Sequence, residues 1–71
     1  MGTVVPHPVR LARERLGLSQ EELARRAGIS TWTVQRTETW KTRPRPLIQR
    51  ALAEVLALPV EELFPPLQEA S

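Results

Sequence analysis

The sequence has no cysteine, and aspartate, asparagine and tyrosine are absent as well. Without cysteine there is no disulfide framework and no thiolate metal site. Histidine occurs once, as His7 between Pro6 and Pro8. A lone imidazole builds neither a histidine-rich metal centre nor a Cys/His pair, and its place near the N-terminus reads as a solvated tail residue. The three glycines are scattered, so no glycine-rich loop is present to cradle a phosphate. No apolar run is long enough to cross a bilayer, and the N-terminus lacks the apolar core of a signal peptide. The expectation is a soluble, cytoplasmic protein that is not an enzyme and holds no metal or cofactor. Its 71 residues allow one domain with a small core.

What is present is unevenly placed. The net charge of +2 hides a gradient. Residues 1–16 carry +2, residues 17–28 balance at zero, residues 29–45 carry +3 and residues 46–71 carry −3. The most basic segment, STWTVQRTETWKTRPR at residues 30–45, also holds both tryptophans and five threonines. Positive charge concentrated in one segment, with aromatics interleaved, points to a polyanionic partner.

Helical punctuation divides the chain. Residues 1–7 read as a flexible lead-in, residues 8–66 as the domain and residues 67–71 as a frayed tail. Pro8 suits the first turn of a helix, where a missing N–H is harmless. That helix should run to about Leu16, with Val9, Ala12 and Leu16 on one face, and stop at Gly17. Ser19-Gln20-Glu21-Glu22 is a capping box that opens a second helix, and Gly28 ends it as a left-handed cap. Ser30 caps a third helix, expected from Thr31 to about Thr39. A fourth should span about Pro46 to Leu56, with Ile48, Leu52, Val55 and Leu56 inward. Pro59 opens a short fifth turn whose Leu63 and Phe64 close the core. No period-2 pattern indicates a strand.

Two short capped helices joined by a tight glycine-containing turn form the signature of a helix-turn-helix. The stretch RERLGLSQEELARRAGIS, then V-Q-R-x-E at residues 34–38 and the closing LAEVLALPVEELF, together resemble the lambda-repressor-like (Cro-type or XRE-type) DNA-binding domain family. The resemblance runs from Val9 to Phe64. It implies an all-α, compact five-helix domain with the helix-turn-helix at helices 2 and 3, and with helix 3 in the DNA major groove.

A direct reading of helix 3 agrees. With Val34 facing the core and about 100° per residue, Trp32, Gln35, Arg36 and Thr39 fall on the opposite face, with Thr31 and Thr33 at the exposed N-terminal end. Arginine can read guanine O6 and N7, glutamine can read adenine N6 and N7, and threonine methyls or aromatic edges can touch a thymine methyl. By resemblance, Thr31, Trp32 and Arg36 match base-contacting positions, and Gln35 shares their face. Gln20 matches a glutamine that holds the DNA backbone and buttresses helix 3. With Thr33, Lys41, Arg43 and Arg45 it makes up the expected phosphate-contacting set, and Arg10 is a further candidate. Prolines 44 and 46 would stiffen the basic loop. Arg13 and Glu38 match a partly buried ion pair between helices 1 and 3.

The chain departs from the family pattern at three places. Thr37 and Gln49 replace larger or apolar residues, and Trp40 stands where glycine is common. Without that glycine helix 3 is free to run through Trp40. The indole would then pack on the DNA backbone, cover the 41–46 loop, join a protein interface or fold back over the core. The functional expectation is a sequence-specific double-stranded DNA-binding protein, a repressor-like transcriptional regulator located with the nucleoid when bound. It would act as a homodimer on half-sites about one helical turn apart, with helix 5 and Phe64-Pro65-Pro66 as the expected contact. The alternative is an antitoxin-like or coactivator-like module that docks a partner protein through Trp32 or Trp40.

Overall fold

A computed structural model describes residues 5–66. Five helices follow in order: α1 (Pro8–Arg15), α2 (Gln20–Ala27), α3 (Thr31–Glu38), α4 (Pro46–Leu56) and α5 (Val60–Leu63). No strand occurs among the described residues. Each start has a local cause. Pro8 and Pro46 occupy the first turns of α1 and α4, where their fixed φ suits the helix. The Ser19 hydroxyl accepts from the Glu22 N–H at 3.0 Å, and the Glu22 carboxylate accepts from the Ser19 N–H at 3.0 Å. Those bonds from Ser19 hold the Glu22 carboxyl below the usual glutamate range. The Ser30 hydroxyl accepts from the Thr33 N–H at 3.1 Å.

The ends of α1 to α4 share one device. Gly17, Gly28, Trp40 and Ala57 all have positive φ, between 58° and 73°. After α1, α2 and α3 the two closing bonds of a Schellman motif are present, for example Ile29 N–H to Ala24 O at 2.9 Å and Lys41 N–H to Arg36 O at 2.8 Å. A Cβ placed on Gly17 or Gly28 would meet nothing within 4 Å, so the left-handed backbone alone requires glycine there. Trp40 and Ala57 hold the same conformation without that freedom. Helix 3 therefore stops at Glu38 and does not continue through Trp40.

The core is made by Val9 and Ala12 of α1, Leu23 and Ala24 of α2, Val34 of α3, Leu52, Ala53 and Leu56 of α4, then Leu63 and Phe64. α2 packs on both α3 and α4, and α1 crosses α3, α4 and α5. Two inward faces differ from expectation. Leu16 is 49% exposed, because the chain turns at Gly17 and Leu18 takes the buried place. On α4 the buried stripe is Gln49, Leu52, Ala53 and Leu56, with Ile48 and Val55 half-buried at its borders. Gln49 is tolerated there because its amide donates to the Pro44 carbonyl at 2.8 Å. Thr37 is fully buried, and its hydroxyl has no partner. Leu63 and Phe64 close the core as expected.

His7 overturns the reading of a solvated tail residue. It is buried, and its Nδ1 accepts from the Val9 N–H at 3.0 Å as the N-cap of α1. Its ring lies 4.4 Å from that of Trp40 and 5.6 Å from that of Phe64, centroid to centroid. The Trp40 indole N–H donates to the Val5 carbonyl at 2.9 Å. Residues 5–7 of the expected lead-in are thus packed on the end of α3. Residues 1–4 and the expected tail at 67–71 lie outside the described residues.

Two outcomes follow from these local features. Ala57 is exposed, so Ala57→Gly relieves the left-handed strain without losing packing. A gain of about 0.5–1 kcal/mol is expected, and a calorimetric Tm that stays level or falls would contradict this origin. For His7, burial lowers the imidazole pKa, Glu38 raises it and Arg43 lowers it, with a net downward shift. The unfolded chain then binds the proton first, so stability is full above about pH 6.5 and falls as pH drops through the lowered folded value. Denaturant titrations between about pH 6.5 and 5 should show this slope in the parent. His7→Asn, which keeps a capping side chain, should flatten it; equal slopes in both proteins would rule His7 out as its source.

Candidate nucleic-acid interface

The position of α3 is set by a polar node where α1, α2 and α3 meet. The Arg13 Nε and Nη2 donate to the two Glu38 carboxylate oxygens at 2.7 and 3.0 Å. Arg13 Nη1 donates to the Leu18 carbonyl at 2.9 Å, and the Gln20 amide donates to Glu38 Oε1 at 3.0 Å. The Arg13 and Glu38 side chains are 12% and 3% exposed, so this two-pronged pair is largely withdrawn from water. The hydrogen bond that Arg13 donates to Glu38, opposed by burial, holds the Arg13 pKa above its ordinary value. The last residue of α3 is therefore tied to the middle of α1 and to the first residue of α2.

With α3 fixed by Val34, Thr37 and Glu38, the opposite side of the helix is left open. Trp32 and Gln35 are exposed, while Thr31, Thr33 and Arg36 are half-buried at the edges of the outer face. The Arg36 guanidinium sits over the Trp32 ring at 4.8 Å from its centroid. Thr33 and Ser30 hydroxyls share a hydrogen bond of 2.8 Å. Trp32, Thr33 and Arg36 line one wall of a shallow groove of about 320 Å³. Its other wall is Thr42, Arg43, Pro44, Arg45 and Ile48. The groove thus joins the outer face of α3 to the basic loop, and Lys41 is exposed at the loop's start.

Several expected residues sit differently. The Gln20 amide is held against Glu38, which fits the buttressing part of its expected role. Arg43 is exposed but tethered: Nη1 and Nη2 donate to the Pro65 and Phe64 carbonyls at 3.0 and 3.2 Å. Those carbonyls end the α5 turn without helical partners, and a guanidinium satisfies both at once. The expected phosphate ligand therefore also clasps the C-terminal segment. Arg10 forms an exposed pair with Glu14 on its own helix at 3.1 Å. Thr42 and Ile48 were not expected at the groove. Thr42 lies between Lys41 and Arg43 in the basic loop, which is the available signal for it, and Ile48 carries none because it reads as core.

A helix-turn-helix family model matches residues 9–63, most of the chain and all five helices but the first residue of α1. No curated protein matches it. Among the described residues no helix is long and apolar enough to cross a membrane.

The node has a measurable consequence. Glu38→Gln removes the charge that compensates Arg13 while keeping the volume. Breaking a buried pair on one side costs roughly 3–5 kcal/mol, and the lower end is expected because Arg13 retains the Leu18 carbonyl. Chemical denaturation should therefore show the variant close to unfolding, since a domain of this size is stabilised by only about 4–10 kcal/mol. An unchanged midpoint would make the pair a dispensable surface contact.

Proposed function

The chain belongs to the lambda-repressor-like helix-turn-helix family, and on that premise we propose that it is a sequence-specific DNA-binding transcriptional regulator. In this reading α3 enters the major groove. Thr31, Trp32, Gln35 and Arg36 meet base edges, while Gln20, Thr33, Lys41, Arg43 and Arg45 meet phosphates. The observation that carries it is the division of α3 into two sides. Val34, Thr37 and Glu38 are buried, and the remaining surface offers an arginine, a glutamine and an indole beside an exposed basic loop.

The chemistry of recognition follows from these groups. An arginine offers two parallel N–H donors to guanine O6 and N7, and glutamine matches adenine N6 and N7. Lys41 and Arg45 add charge that fixes register on the duplex without reading sequence. The Pro44 carbonyl is tied to Gln49, so the basic loop is partly ordered before it meets DNA, and less conformational entropy is lost on binding. Regulation needs no bond-making: a bound domain occludes or recruits at an operator. One half-site gives little affinity, so two copies on half-sites about one helical turn apart are the expected assembly. The working location is the cytoplasm, on the nucleoid when bound.

Docking of a partner protein through the tryptophans is less well supported. Trp40 already uses its indole N–H on Val5 and packs against His7.

Selection from randomised duplexes at two salt concentrations tests the proposal. One enriched motif is expected, with binding that weakens steeply as salt rises. Arg36→Ala should relax preference at one base pair, losing about 1–3 kcal/mol of discrimination. Arg45→Ala should weaken all sequences alike and reduce the salt slope by about one. Absence of any motif at low salt would overturn the regulator reading.

A further inference from the structure

We propose that Trp32 is a positioning residue for Arg36, and that the indole holds the guanidinium as a preformed reader of a single guanine. The inference rests on the DNA-reading role proposed above and refines it: Trp32 acts at the base edge that Arg36 reads, through Arg36, and reads no base pair of its own. Trp32 and Arg36 are one helical turn apart. Long side chains on a helix lean back toward its N-terminus, so Arg36 is directed onto the residue four positions before it. The guanidinium carbon lies 4.8 Å from the indole centroid, within the range of an attractive cation–π contact.

Three further observations converge on this pair. Among the described residues the ion pairs are Arg10–Glu14 and Arg13–Glu38, so no carboxylate neutralises Arg36. Nor is the guanidinium drawn into a hydrogen bond with another described group, in contrast to Arg13 and Arg43. Trp32 remains 64% exposed although it is the largest side-chain type, and the surface it offers is partly occupied by Arg36. A guanidinium held over an aromatic ring has no hydrogen-bond acceptor there, so its N–H donors stay available. Guanine presents O6 and N7 in one plane at a matching spacing. An arginine otherwise loses much rotamer freedom on binding. Here the neighbouring indole has already restricted it, and Thr33 and Ile48 bound the groove in which it lies.

The test uses the full chain and the duplex motif selected by the parent protein. Discrimination of guanine from adenine is measured at the position that Arg36→Ala relaxes, with 7-deazaguanine as a second probe that lacks the N7 acceptor. Trp32→Ala should lose at least ten-fold of that discrimination while its thermal stability and its salt slope stay at parental values. Trp32→Phe, which keeps a smaller aromatic face, should recover part of the loss. The double variant Trp32→Ala, Arg36→Ala should be no worse than Arg36→Ala alone. The proposal is overturned if Trp32→Ala relaxes a different base pair, or weakens all sequences equally, or adds its full effect to that of Arg36→Ala. A parent protein that selects no motif removes the DNA-reading premise itself. Loss of coupling in a protein that still selects a motif removes only the positioning role.

Discussion

The two-pronged ion pair between Arg13 and Glu38 is the contact on which the geometry of the surface depends. Few apolar side chains are available to orient a helix of eight residues, and α3 contributes Val34 as its one buried aliphatic. A greasy contact of that size allows rotation and sliding. The Glu38 carboxylate does not, because it accepts from two nitrogens of Arg13 and from Gln20 in fixed directions. Burying such a pair contributes little net stability compared with apolar packing, and its value is in specifying one arrangement over others. Thr37, next to it and fully buried with an unpaired hydroxyl, shows how tightly that end of α3 is enclosed. The outer face of the helix is then oriented as a consequence of what its inner face is tied to.

Much of this arrangement could be read from residue order. The capping box at Ser19–Glu22, the Ser30 cap, the glycines at 17 and 28 and the prolines at 8 and 46 act through neighbours within four residues. Local devices of that kind leave local signatures. The side of α3 that turns outward was legible for the same reason, since Val34 alone sets the helical phase. The Arg13–Glu38 pair was legible only through family resemblance, because nothing local joins residues 25 apart.

Leu16 is turned outward by the local stop at Gly17, but most residues that sit elsewhere than expected depend on partners outside their own helix. His7 becomes buried because Trp40 and Phe64 converge on it, and neither is near it in sequence. Trp40 takes a backbone conformation that its chemistry disfavours, and His7 and Val5 supply contacts that glycine at that place would lack. Arg43 reads as a free cation in a basic loop until the Phe64 and Pro65 carbonyls are brought beside it. Gln49 reads as a polar interruption of an apolar stripe until the Pro44 carbonyl satisfies its amide. His7 and Gln49 are taken out of water by these contacts, whereas Trp40 and Arg43 stay exposed with their polar groups engaged.

The short loop after α3 consequently holds both ends of the described chain. Trp40 secures Val5 and His7, and three residues later Arg43 secures Phe64 and Pro65. A chain fastened in this way behaves mechanically as a nearly closed ring with one clasp. Tension arriving through a segment joined at either end would be felt first at that clasp, between α3 and α4, before it reached the interior. The side chains of the clasp lie next to those of the groove, so the surface of α3 and the two ends of the domain share a single mechanical junction.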